Sequence, residues 1–318
     1  MKCSRIGIIG PGNIATTVAT ALIGIEELQL YAVASRDLAK AQAFKEKFKV
    51  EMAYDSYQEL YQDPNVDLVY IATPHAFHHD QMMEAISYHK NILCEKAFCL
   101  NRQEAEEVIC YAKSQEVFIA EAMLPAYLSS REVIKNLLKE GLIGEVTHYH
   151  GVFGTPIWHV QRVHEASLGG GALLDIGLYP LYFALDQFGF DARIEQVYMN
   201  EVGGVDQSET IILRYPNRLK ATITTSTSEA LGIYGEIIGT KGSIYIENIA
   251  RPEWIEVRDR NHELVKRIAP LRTTSGYEAE FLACAKAINS GLKETTEMPT
   301  TDNLALLDYM DRIRWFHP

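Results

Sequence analysis

The feature that most constrains this chain lies at its start, where residues 5–9 (RIGII) run into Gly10-Pro11-Gly12-Asn13-Ile14-Ala15. The apolar run reads as a short buried strand, and the six residues after it carry the G-x-G-x-x-A spacing of a dinucleotide-binding turn. Gly10 permits a sharp turn, Gly12 lets backbone N–H groups approach a pyrophosphate with no Cβ in the way, and Ala15 lets the next helix pack closely on the strand. That helix, expected over residues 13–23 with Asn13 and Ile14 in its first turn, aims its positive end at the phosphates.

The alternation continues. Apolar strands are expected at residues 29–34, 50–54, 66–72, 91–94 and 117–120, with helices at 38–48, 57–61, 78–88 and 101–114 between them. This is the rhythm of a parallel α/β sheet, whose ligands gather at the carboxyl ends of the strands. After the second strand stands Ser35-Arg36-Asp37. A hydroxyl followed by arginine suits a ribose 2′-phosphate, whereas an acidic residue would accept from a 2′-OH, so NADP is favoured and NAD remains possible. Asp37 reads as the N-cap of the next helix. After the fourth strand, Thr73, Pro74 and His75, with His78 opening the following helix, are candidates to line the dinucleotide. The H-x-x-H-H run at residues 75–79 has no third ligand at a matching spacing, so no metal site is expected. After the fifth strand, the charged pair Glu95-Lys96 falls beside the expected nicotinamide.

Beyond Glu121 the rhythm changes. A helix is expected at 128–140, then a loop with Trp158, His159 and Arg162, the glycines at 169–171, and a long apolar segment to Gly189. Residues 194–268 alternate polar and apolar, as strands of a sheet with one open face do. Two helices, 277–290 and 302–314, are expected to close this part. The reading is an α/β dinucleotide-binding domain at 1–122 and an α+β domain at 123–318 with a large, open, mostly antiparallel sheet, which the 318-residue length supports. Asp175 and Tyr179, four apart, would share one face of a helix, although Pro180 removes a backbone donor and threatens a kink. A core helix with a buried tyrosine explains the same residues.

A net charge of -12 argues against nucleic acid or an anionic membrane as the main partner. No apolar run is expected to reach membrane-spanning length. The five cysteines (Cys3, Cys94, Cys99, Cys110, Cys284) form no C-x-x-C pair and suggest reduced thiols in a cytoplasmic protein. The open sheet face predicts a homodimer.

The ordered segments GPGNIA, SRD, ATPHAFHH, CEKA, LGGGALLDIGLYPL, EIIGTKGSI and GYEAEF resemble the glucose–fructose oxidoreductase, inositol dehydrogenase and rhizopine-catabolism family of NAD(P)-dependent oxidoreductases. The resemblance covers essentially the whole chain and is strongest to the branch of dimeric dihydrodiol dehydrogenase and D-xylose dehydrogenase. It implies an N-terminal Rossmann domain and a sugar, polyol or small diol as substrate. It also implies that Lys96 matches the lysine of the family's Glu-Lys-Pro motif, Asp175 the aspartate of its Asp-x-Gly motif, and Tyr179 the acid/base position. Glu95 would face the nicotinamide ribose, and Trp158 and Arg162 would lie where the second domain closes over the cofactor. The family's proline after the lysine, often preceded by a cis bond, is Ala97 here, which leaves the presentation of Lys96 open. A regulator of the same fold without catalysis, and a glycosidase using bound nicotinamide as a transient redox partner, are the rival readings.

Overall fold

A computed structural model describes residues 4–271 and 275–316. The chain divides into two compact units, Met1–Tyr127 with Thr273–Leu304, and Leu128–Arg272 with Ala305–Pro318.

The first unit begins with β1 (Ser4–Ile9), α1 (Asn13–Ala21), β2 (Leu28–Ala34), α2 (Leu38–Phe48), β3 (Met52–Tyr54) and α3 (Tyr57–Gln62). It continues through β4 (Leu68–Ile71), α4 (His78–Ser87), β5 (Asn91–Glu95), α5 (Arg102–Ser114), β6 (Ile119–Ala122) and α6 (Leu124–Tyr127). All six strands are parallel, in the order β3-β2-β1-β4-β5-β6. Their near-continuous burial (Ile6, Ile8, Ile9, Leu68, Val69, Tyr70, Ile71) follows from helices covering both faces. The order reverses between β1 and β4, so the loops after these two strands flank the crevice where such sheets hold ligands.

The second unit holds α7 (Ser129–Glu140), β7 (Val146–Gly154), α8 (Gln161–His164), one π-helical turn (Leu173–Gly177) and α9 (Leu178–Phe188). After it come β8 (Arg193–Val202), β9 (Val205–Arg214), β10 (Lys220–Ser226), β11 (Gly232–Gly239), β12 (Gly242–Ile246), β13 (Ile255–Asp259) and β14 (Leu264–Ile268). Its eight strands run β14-β13-β12-β11-β7-β10-β9-β8, antiparallel except for β10 beside β7. Tyr149, Ile211, Leu213, Ala221 and Ile223 point to the buried side, where α9 packs on β7 and β10. His148 and His150 on β7 and Tyr198 on β8 are exposed.

Two expectations are corrected. Residues 273–304 return to the first unit instead of closing the second. Within that stretch α10 (Tyr277–Asn289) inserts Phe281, Cys284 and Ala285 into the core around Ile6, Tyr70 and Phe118. Burying a phenylalanine contributes about 1.5–3 kcal/mol, which holds the returning helix in place. The last helix, α11 (Thr300–Arg314), is divided between the units at Leu304. An apolar stretch does reach membrane-spanning length: Ala166–Phe188, 23 residues, contains an 18-residue window with a mean hydropathy of 1.4, 83% of it buried inside the fold. It is apolar because it is the core helix that the second sheet covers. Cys94, Cys99 and Cys284 are buried free thiols and Cys110 is exposed, while Cys3 lies outside the described residues.

Candidate active site

The dinucleotide half of the site is made largely by backbone. Gly10 has φ 81°, and a Cβ there would run into Thr73 Cγ2 and the Ala72 carbonyl, so glycine is what lets the loops after β1 and β4 touch. At Gly12 a Cβ would find only the Gly10 oxygen, 4.0 Å away. Gly12 is also the N-cap of α1, with no side chain capping the first-turn amides. Open space before uncapped N–H groups is what a pyrophosphate fills, and the residues therefore fit a dinucleotide.

At the end of β2, Ser35 is buried and its Oγ accepts from Asp37 N–H at 3.2 Å. Asp37 caps α2 through Ala39 N–H at 3.0 Å, as its position predicts. Arg36 is exposed, its guanidinium 5.6 Å from the Phe77 ring centroid, and its charge acts on the Tyr57 hydroxyl. Two aromatic residues from other elements therefore border the cation. After β4, Thr73 and Pro74 are half-buried and His75 is buried.

Lys96 leaves the end of β5 half-buried, in a turn tied down on three sides. The preceding Glu95 accepts from the buried Tyr70 hydroxyl. The Ala97 carbonyl lies 2.8 Å from His78 Nδ1, and Phe98 N–H donates to Glu121 Oε1 at 3.0 Å. The peptide between Lys96 and Ala97 is cis, as in the family's lysine–proline pair. His78 is fully buried, and its other nitrogen lies 2.9 Å from the Thr73 carbonyl. Both ring nitrogens are committed to backbone oxygens. Because carbonyls only accept, the ring satisfies both partners fully when both nitrogens carry protons. Burial pushes the His78 pKa down, and the two carbonyls act the other way. Glu121, buried at the end of β6, takes its second donor from Asn303 Nδ2 at 2.5 Å; burial raises its pKa to about 7. Burial, then the charges of Glu95, Glu121 and Glu278, push the Glu280 pKa well above its ordinary value.

In the second unit the polar groups are side chains. The π turn carries Asp175, only 5% exposed, and Arg162 Nη1 from α8 reaches its Oδ1 at 2.8 Å. Asp206 Oδ2 accepts from Leu173 N–H at 2.7 Å at the start of that turn. Beneath it Glu209 fills the space a side chain at 177 would need, and accepts from the buried Thr225 hydroxyl. Its Oε2 has no partner among the described residues. Burial, then the neighbouring Asp206 charge, push the Glu209 pKa well up, and Asp206 itself rises to about 6 through burial. Tyr179, in the first turn of α9, is half-buried with its ring stacked on Phe153 at 5.6 Å. The kink expected at Pro180 takes another form. The wider π turn precedes the proline, and α9 continues to Phe188. Asp175 turns to Arg162 while Tyr179 turns to Phe153. Trp158 is half-buried, its carbonyl 2.7 Å from His164 Nδ1.

The family model described as an oxidoreductase family with an NAD-binding Rossmann fold, GFO/IDH/MocA, matches residues 4–122, and the GFO/IDH/MocA C-terminal domain model matches residues 132–245. The chain belongs to the GFO/IDH/MocA oxidoreductase family. Trans-1,2-dihydrobenzene-1,2-diol dehydrogenase of Mus musculus is 32% identical over 320 residues, 98% of this chain and 96% of the relative. The enzyme of that name from Xenopus tropicalis is 34% identical over 321 residues, 97% and 96% of the two chains. Among solved structures, KijD10, a 3-ketoreductase from Actinomadura kijaniata in complex with NADP and TDP-benzene, superposes with a TM-score of 0.91 at 24% identity, covering 99% of this chain and 98% of the other. The aldose-aldose oxidoreductase from Caulobacter crescentus gives 0.89 at 20% identity, covering 99% and 97%. This GFO/IDH/MocA member is thus an oxidoreductase acting on CH–OH groups, with a Rossmann domain for a nicotinamide dinucleotide.

Sequence reasoning missed Tyr57 and Phe77 around Arg36, and Glu121, Asn303 and Glu209. For Glu121 a signal existed, since a carboxylate ending an apolar strand needs donors. For the aromatic pair there was none, because Tyr57 opens α3 and Phe77 precedes α4, each after a different strand.

Proposed function

We propose that the chain transfers a hydride between NADP(H) and a CH–OH group of a sugar, polyol or small diol, with trans-diols the first class to test. The reading is supported by one observation: the chain is 32% identical over 98% of its length to a trans-1,2-dihydrobenzene-1,2-diol dehydrogenase, and its Lys96, Asp175 and Tyr179 stand in segments that resemble the family's motifs. Bound NADP supplies the hydride chemistry, held by Gly10, Gly12, Asn13 and Ile14 at the turn, by Ser35 and Arg36 toward a 2′-phosphate, and by Thr73, Pro74, His75 and Glu95 along the strand ends. Trp158 and Arg162 complete the cofactor contacts. Tyr179 exchanges a proton with the substrate oxygen as the hydride moves. Tyrosine is a poor base near neutrality, so a cation is needed to stabilise its phenolate, and Lys96 has that part. Asp175, fixed by Arg162, orients the substrate hydroxyl.

Purified chain is assayed with NADP and NAD against trans-1,2-dihydrobenzene-1,2-diol, aldoses and polyols. Tyr179→Phe is expected to lower turnover about 10²–10⁴-fold, the range of general acid–base catalysis, with NADPH affinity nearly unchanged. Turnover retained by that variant sinks the assignment. A net change in the near-ultraviolet absorbance of the nicotinamide separates this reading from both a silent regulator and a glycosidase that returns its hydride.

The same reading includes a cytoplasmic homodimer formed through the open face of the second sheet. The exposed Tyr198 at 62% and the half-buried Tyr234 and Tyr245, stacked at 5.8 Å, support it. Light scattering that finds only a 35.8 kDa particle rejects the dimer.

A further inference from the structure

We infer that His78 and Glu121 are positioning residues that act on Lys96 by gripping the residues that follow it. The inference rests on the catalytic part proposed for Lys96. Where the family has proline, Ala97 lacks the ring that would fix its own φ. The segment after Lys96 is held instead by polar bonds from two other elements. His78, from α4, reaches the Ala97 carbonyl at 2.8 Å and the Thr73 carbonyl at 2.9 Å. Glu121, from the end of β6, takes the Phe98 N–H at 3.0 Å and is itself steadied by Asn303 from α11. Both side chains are at most 2% exposed, so water cannot replace either bond. The His78 ring joins the loop after β4, which borders the dinucleotide turn, to the turn that presents Lys96. The charge of Lys96 acts at both residues, which places them in its immediate field.

The test uses the full chain with NADP and trans-1,2-dihydrobenzene-1,2-diol as probe, and has one arm independent of turnover. Amide exchange in the peptide covering residues 95–99 is expected to speed up by about tenfold or more in His78→Gln, whose two N–H donors sit on one nitrogen and cannot span two carbonyls that meet opposite ring nitrogens. Unchanged exchange overturns the grip. In kinetics, His78→Gln and Glu121→Ala are expected to lower kcat about tenfold while NADPH affinity moves less than about threefold. Glu121→Gln, which keeps an acceptor for Phe98 N–H, should stay within about threefold of the parent kcat. A purely structural role would instead lower both parameters with the folded fraction, and Glu121→Gln would rescue nothing. If His78 works through Lys96, adding His78→Gln to Lys96→Met costs less than about twofold, because the shared effect is already lost. A further tenfold loss overturns the inference. Should Lys96→Met turn over like the parent, the catalytic assignment of Lys96 falls, and the exchange measurement still decides whether His78 holds the turn.

Discussion

At the strand ends of the first unit the backbone supplies the amides after Gly12, and the buried His78 side chain holds the carbonyls of Thr73 and Ala97 beside the Lys96 turn. In the second unit the candidate groups are side chains, Asp175 and Tyr179 on a helix widened by one π turn and Arg162 on α8. The buried carboxylates mark the difference. Glu121 receives donors on both oxygens, and its pKa rises to about 7. Glu209 receives one donor, and its pKa is pushed well above the carboxylate range. A carboxylate with two donors tolerates burial as an anion better than one with a single donor, which burial pushes toward the neutral acid.

The largest effect expected from this contrast is at the turn. Gly10→Val forces a branched side chain to φ 81° and into Thr73, costing about 1–2 kcal/mol for the left-handed backbone alone, and lowers the melting temperature and dinucleotide affinity together. Gly12→Val meets open space, so it should leave the melting temperature unchanged and lose only NADPH binding, read by fluorescence titration. A fall in stability at Gly12 would break the view of that turn as a backbone cradle.

Next comes the pH dependence at Glu121. Its carboxyl keeps its proton in the fold up to about pH 7 but only to its ordinary 4.5 when unfolded. The folded pKa is raised, so this contribution to stability is fully present below 4.5 and is lost as pH rises through 7. At 1.36 kcal/mol per unit the contribution is on the order of 3 kcal/mol, and Glu121→Gln should flatten the stability profile across that window. An unchanged profile means that Glu121 titrates in the ordinary range.

Glu209→Ala should cost about 2–3 kcal/mol in denaturant unfolding, since it opens a cavity and strands the Thr225 hydroxyl. Glu209→Gln, the shape of the neutral acid, should cost less than about 1 kcal/mol. Equal losses would place a charged carboxylate there and erase the contrast. Last, and confined to cofactor choice, is Arg36→Ala, which removes one charge-assisted contact and should shift the ratio of kcat/KM for NADP over NAD toward NAD by about 1.5–3 kcal/mol, with no change for NAD alone. An unmoved ratio removes Arg36 and its aromatic supports from cofactor choice.

Much of the first unit was legible because its signals are local. A glycine turn, an N-cap at Asp37 and strands of near-continuous apolar character each sit within a dozen residues, and the observed elements start or stop within a few residues of those expected. The second unit was legible as a kind of structure, alternating strands with an open face, while its site was not. The Asp175–Arg162 pair spans thirteen positions through a π turn that no residue periodicity announces. Likewise, the Glu121–Asn303 bond, 182 residues apart, depends on a segment that returns to the first unit.

The amino-acid sequence by itself determined the strand and helix rhythm, the dinucleotide turn and the residue types available for hydride chemistry, because backbone conformation and apolar period are set by near neighbours. Only the tertiary structure decided that α10 completes the first core, that both ring nitrogens of His78 meet backbone carbonyls, and that the residues after Lys96 are bonded by His78 and Glu121. These are outcomes of burial. A polar group taken from water must find its partner wherever the packed chain supplies one, and that place is not written in the residues beside it.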